Sequence, residues 1–117
     1  MGSHIIFPKA YTLTEEFEGY QFVHPLMQEQ IRIIREYCVT RPDIEWVGLF
    51  GSSLTWRCNS YSDIDLVVNG RARPFDPPLS RDVSMDIVFW GDYREHDNGV
   101  WSDIKENGIA IYQAGAK

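Results

Sequence analysis

The apolar positions follow a helical period first and a strand period afterwards. In "HPLMQEQIRIIREYCVTRPD", Met27, Ile31, Ile34 and Cys38 recur at helical spacing, with Leu26, Ile33 and Tyr37 widening the stripe. Pro25 suits a first helical turn and Arg41-Pro42 marks a stop, so the pattern predicts one amphipathic helix covering a sheet. Beyond it, "IEWVGLFG" (Ile44 to Gly51), "DIDLVVN" (Asp63 to Asn69), "DVSMDIVFW" (Asp82 to Trp90) and the final "IAIY" read as strands. Residues 52 to 58 are expected to form a short helix, and "NSYS" (59 to 62) has turn chemistry. "GRARPFDPPLSR" carries three prolines and reads as a loop, whereas "VWSDIKEN" resembles a short helix ending at Gly108. Residues 5 to 23 show no clear period and are expected to form an irregular arm or short helix packed on the domain. The order predicts a small α/β (α+β) fold, a mixed sheet flanked by helices, spanning residues 24–117 behind an arm at 1–23.

One stretch disturbs this pattern. Asp63 and Asp65 stand in an otherwise apolar strand, where carboxylates are disfavoured. Side chains alternate along a strand, so these two aspartates point to one face while Ile64, Leu66 and Val68 point to the other. In the next strand Val83, Met85, Ile87 and Phe89 share a face opposite Ser84, Asp86, Val88 and Trp90. If the two strands pair with their apolar sets together, Asp86 joins Asp63 and Asp65, and three carboxylates converge. Asp76 and Asp82 compete for the third place, but only Asp86 sits inside a well-formed strand on that face.

Three close carboxylates repel one another unless a cation compensates. Their hard oxygens suit Mg²⁺ or Mn²⁺, and two such ions bridged by carboxylates serve in-line displacement at phosphorus. Upstream, Gly51 ends a strand and allows a close backbone approach, while Ser52 and Ser53 offer hydroxyls and N–H groups suited to phosphate. The residues thus predict a metal-bridged triphosphate site built from Gly51, Ser52, Ser53, Asp63, Asp65 and Asp86.

Composition narrows the class of partner. The 117 residues suit one domain, and a 44% hydrophobic content excludes a disordered chain. The net charge is 11 − 17 = −6, which argues against binding an extended nucleic-acid backbone but permits a metal-bridged nucleotide. Cys38 and Cys58 make no metal-binding pattern and are expected as reduced thiols, and His4, His24 and His96 make no zinc pattern. With no apolar run of membrane-spanning length and no signal-peptide pattern at the start, a cytoplasmic protein is expected. Trp46, Trp56, Trp90 and Trp101 are expected in the core or an interface, Tyr112 in packing, and Arg71 and Arg73 as solvated loop charges or contacts to a phosphate or acceptor.

Gly51-Ser52, ten residues, then Asp63-x-Asp65 in a hydrophobic strand resembles the signature of the DNA polymerase beta-type nucleotidyltransferase superfamily. The short length and the "IKENGIAIY" ending are similar to its minimal nucleotidyltransferase branch, over Ile44 to Tyr112. The resemblance implies a polymerase beta-like fold and metal-dependent transfer of a nucleoside monophosphate, AMP from ATP foremost, to a protein or small-molecule acceptor with release of pyrophosphate. It implies that Asp63 and Asp65 hold both metals, that Asp86 binds the catalytic one and helps activate the acceptor, and that Gly51, Ser52 and Ser53 hold the triphosphate. It also implies a toxin–antitoxin setting, since many minimal members are antitoxins beside a HEPN-type toxin and some add AMP to it. The family's frequent Arg-Gly pair is replaced here by Thr55-Trp56, with Arg57 as a displaced positive charge.

Two further readings stand beside the enzyme: an antitoxin-like protein that neutralises a partner by binding it, and a regulatory domain that binds ATP or metal without transfer. The carboxylate trio favours the enzyme. Antibiotic nucleotidyltransferases rank lower, because 117 residues leave no room for a drug-binding domain unless an oligomer supplies it.

Overall fold

The computed structural model describes residues 19–71, 74–92, 104 and 106–114. Helix α1 spans Pro25–Val39, and strands β1 (Ile44–Phe50), β2 (Ile64–Gly70), β3 (Met85–Phe89) and β4 (Ile109–Gln113) form one sheet in the order β3-β2-β1-β4. β1 pairs antiparallel with β2 and with β4, and β2 pairs parallel with β3, so the sheet is mixed as the pattern predicts.

The helix forms where its period and caps predict. His24 caps it, its Nδ1 accepting the Leu26 N–H at 3.1 Å, and Pro25 opens the first turn. Met27, Ile31, Ile34 and Cys38 are fully buried against Val47, Leu49, Ile64, Leu66, Val68 and Ile111. This side holds the main core. Among the described residues α1 is the only long helix, so one face of the sheet, rather than both, is seen covered by a helix of that length.

Several boundaries differ from the sequence pattern. β2 begins at Ile64, which leaves Asp63 just outside it, and β3 begins at Met85 rather than Asp82. Parallel pairing sets both limits: the ladder runs from Ile64↔Met85 to Val68↔Phe89, and the Ile64 N–H reaches back to the Ser84 carbonyl at 2.9 Å. The helix expected at 52–58 is a 3-10 turn at Gly51–Leu54, followed by irregular turns. Thr55 ends it, its N–H and hydroxyl both donating to the Ser52 carbonyl at 3.0 and 3.1 Å. The arm at 1–23 lies outside the described residues as far as residue 18, and its end forms a 3-10 turn at Tyr20–Phe22 with Val23 fully buried. Most of the helix expected near 101–107, with Trp101, His96 and Arg73, also lies outside them. Ile104 is helical, and the Gly108 N–H closes on its carbonyl at 3.0 Å.

The proline-rich stretch is a loop that packs rather than floats. Phe75 is buried and meets Tyr37 edge-on at 5.2 Å. Gln30, itself buried, donates from Nε2 to the Ser80 hydroxyl and accepts the Ser80 N–H at 2.9 Å through Oε1. Both amide ends are thereby satisfied, as burial requires. Cys38 and Cys58 are free and buried. No helix among the described residues is long and apolar enough to cross a membrane.

Candidate active site

The sheet face turned away from α1 carries the carboxylates. Parallel pairing puts Asp65 directly beside Asp86, because the two are register partners, and it puts Ile64, Leu66 and Val68 beside Met85, Ile87 and Phe89 on the core face. Partnered residues share a face, so Asp65 and Asp86 stand together. Asp65 is half-buried and Asp86 exposed. Asp63 is exposed at the mouth of β2, and Asp76 and Asp82 are exposed outside any strand.

The glycine-serine turn reaches this pair through β1. Phe50 is the antiparallel partner of Asp65, and Gly51 follows with φ +81°. That left-handed conformation turns the chain over Asp65. A Cβ on Gly51 would meet the Asp65 Cγ at 2.9 Å, so only glycine fits there. The two serines separate in role. Ser52 is half-buried, whereas Ser53 is fully buried, its hydroxyl has no hydrogen-bond partner among the described residues, and its carbonyl accepts the His24 N–H at 2.7 Å. Ser53 therefore fastens the turn to the start of α1.

Sequence reasoning did not reach the supports of this region. The His24 ring meets Trp56 edge-on at 6.1 Å, and burial lowers its pKa. Arg81 donates from its guanidinium to the Leu26 carbonyl at 2.9 Å and to the Ser60 carbonyl at 3.4 Å, tying the loop after the turn to the helix. Both are contacts between distant segments, and no local pattern announces them. Asn59 folds that loop on itself, its Oδ1 accepting the Tyr61 N–H at 2.8 Å. The loop thus leaves Trp56 60% and Tyr61 94% exposed. Arg57 is exposed in the same loop, and Arg71 is exposed after β2.

The carboxylate face also has an apolar part. Trp46 meets Trp90 at 5.5 Å, and Phe50, Val67, Val88 and Ile104 pack with them. A groove of about 130 Å³ lies over Gly48, between Trp46, Val67, Ile104 and Ile109.

Two adjacent carboxylates, with a tight glycine turn against one of them, form a set of hard oxygen donors that fits a divalent cation. Among the described residues, no group of three His, Cys, Asp or Glu side chains is gathered closely enough to hold one. The structure brings together Asp65, Asp86 and Gly51, but the expected convergence of all three aspartates is not met: Asp63 precedes the β2 ladder, its side chain is exposed, and the three do not form a group that could hold a metal. No protein-family model matches the chain, and no curated protein matches it.

Proposed function

We propose that the chain is a metal-dependent nucleotidyltransferase of the polymerase beta-like fold, moving a nucleoside monophosphate from an NTP, ATP foremost, to an acceptor hydroxyl. The observation that carries the reading is the pairing of Asp65 with Asp86 on the face where Gly51 closes against Asp65. Two strand-held carboxylates beside a glycine-serine turn are what a metal-bridged triphosphate requires.

In this reading Asp65 and Asp86 would hold Mg²⁺ or Mn²⁺, and the Asp63 side chain, exposed at the mouth of β2, would turn toward them to supply a further oxygen ligand. The bound ions would neutralise the phosphate oxygens and the charge that develops at phosphorus. The Gly51–Ser53 turn positions the triphosphate through the Ser52 hydroxyl and main-chain N–H groups, while buried Ser53 keeps the turn in place. Asp86, exposed and next to Asp65, takes the acceptor proton. The acceptor oxygen then bonds to the α-phosphorus and pyrophosphate leaves.

The test is calorimetric titration of an ATP analogue that cannot be cleaved between the α and β phosphates. Binding that needs both a divalent cation and the pair Asp63/Asp65 is the expected result; binding unchanged in Asp63→Ala/Asp65→Ala would overturn the reading. With α-labelled ATP, Asp86→Asn should lose transfer by about 10²-fold or more while retaining the fold, because its carboxylate is exposed.

A second reading is favoured by the exposure of Trp56 and Tyr61. Large exposed aromatics are suited to anchoring a protein partner, such as a HEPN-type toxin, and neutralisation by binding needs no catalysis. Partner neutralisation that survives Asp86→Asn and fails on Trp56→Ala/Tyr61→Ala would favour it over transfer.

A further inference from the structure

We propose that Arg81 is a positioning residue of the candidate site: its guanidinium holds the turn before β2, and through that turn it sets the place of Asp63. The proposal rests on the nucleotidyl-transfer reading and adds to it the group that keeps the Asp63 backbone at the mouth of β2, so that only the side chain has to turn toward the metal.

Asp63 needs such a group because the sheet does not hold it. β2 and β3 run parallel, so both enter the sheet from one end, and their first pair is Ile64↔Met85. The ladder fixes Asp65 beside Asp86 and stops short of Asp63. After Asp63 the chain is fixed at once, since the Ile64 N–H donates to the Ser84 carbonyl at 2.9 Å. Before it lies a turn at residues 59–62. There the Ser62 N–H donates to the Asn59 carbonyl at 3.0 Å, the Asn59 N–H to the Ser62 hydroxyl at 2.9 Å, and the Tyr61 N–H to Asn59 Oδ1 at 2.8 Å. All three bonds run within the turn. They give it a shape and leave its place to be set from outside.

Arg81 sets that place. Its Nη2 donates to the Leu26 carbonyl at 2.9 Å, and its Nη1 reaches the Ser60 carbonyl at 3.4 Å. Leu26 belongs to the first turn of α1, and the backbone N–H of the capping residue, His24, donates to the Ser53 carbonyl at 2.7 Å. The start of α1 therefore holds the glycine-serine turn directly, and the turn before Asp63 through Arg81. Arg81 itself lies on the approach to β3, which begins at Met85. One side chain thus ties the approaches to both carboxylate strands to the element that anchors the candidate triphosphate turn. An arginine fork suits this task, because nitrogens in one plane bond two carbonyls at a fixed spacing, whereas a lysine offers a single point. Its geometry is used here rather than its charge: among the described residues Arg81 forms no ion pair, and its donors go to carbonyls and the Met27 sulfur. Without the fork the turn at 59–62 is free to shift. Asp65 and Asp86 stay in their ladder, and Asp63 is lost to the cation.

The experiment is a double-mutant cycle on binding. Calorimetry measures the affinity of the non-cleavable ATP analogue with Mn²⁺ for the wild type, Arg81→Met, Asp63→Ala and the double variant, and a titration in EDTA isolates the cation-dependent part. Arg81→Met is expected to weaken cation-dependent binding by about three- to tenfold in the wild-type background, and by less than about twofold once Asp63 is alanine. Arg81→Lys keeps the charge and one bond and gives up the fork. It should lose nearly as much, and it serves in place of the methionine variant should that one fail to fold, which urea denaturation reads. A role in stability alone predicts a lower denaturation midpoint with unchanged affinity, and that result would overturn the assignment. So would an equal loss in both backgrounds, because Arg81 would then act through a group other than Asp63. Cation-dependent binding in the wild type that Asp63→Ala leaves unchanged defeats this proposal alone, whereas absence of such binding in the wild type defeats the underlying reading as well.

Discussion

Gly51 packs against Asp65 so closely that no larger side chain fits at position 51: the glycine sits at φ +81°, and a Cβ on it would meet the Asp65 Cγ at 2.9 Å. A strand end and a strand interior from different parts of the chain thus fix one carboxylate. Gly51→Ala is expected to destabilise the fold by about 1–3 kcal/mol, from the left-handed backbone alone, and to displace Asp65. Urea denaturation measures the first effect. Calorimetry with the ATP analogue and Mg²⁺ measures the second, and unchanged binding would show that the site does not depend on this contact.

His24 makes stability depend on pH. Its Nδ1 must be unprotonated to accept the Leu26 N–H, and burial lowers its pKa below the ordinary 6.5. The unfolded chain therefore binds the proton more readily than the folded one. The contribution is complete above pH 6.5 and is lost as pH falls from there through the lower folded value. Unfolding free energy should rise between pH 5 and about 7. His24→Asn keeps a capping oxygen and removes the titration, so its pH slope should be flatter by this group's share.

Gln30 and Ser80 join the helix to the loop before β3. Gln30→Leu removes both bonds to Ser80, whose exposed groups can turn to water, at an expected cost of about 0.5–1.5 kcal/mol per bond. The same variant should leave metal-dependent nucleotide binding intact if the loop's role is structural. Denaturation and calorimetry on one preparation separate the two.

The thiols should be inert in the folded protein. Burial pushes Cys38 up to about 12 and raises Cys58 as well, so little thiolate exists at neutral pH. Alkylation by iodoacetamide at pH 8 is expected to label neither until urea unfolds the chain. Mass spectrometry reads the outcome, and rapid labelling of Cys38 in the native state would contradict its burial.

Much of the site was legible because strand alternation is a local property. Period 2 alone sets Asp65 with Val67 and Asp86 with Val88, opposite the Leu66 and Ile87 set, whatever the rest of the chain does. The helix at Pro25–Val39 was legible for the same reason, since its stripe and its proline cap are written within one segment. The place of Asp63 was not, because the start of β2 depends on where a parallel partner begins. β3 supplies no ladder residue before Met85, so the strand pairing stops at Ile64 and the aspartate falls outside.

The sequence by itself determined which residues could share a face: the helix stripe, the alternation of the strands and a glycine where the chain must turn tightly. The tertiary structure decided which of them meet. Parallel pairing of β2 with β3 set Asp86 beside Asp65, and antiparallel pairing of β1 with β2 carried Gly51 over it. It also buried Ser53 while leaving Ser52 half-buried, and it hollowed the groove over Gly48. Periodicity acts between neighbours along the chain. Register and burial arise from contacts across it, and only the assembled sheet makes those contacts.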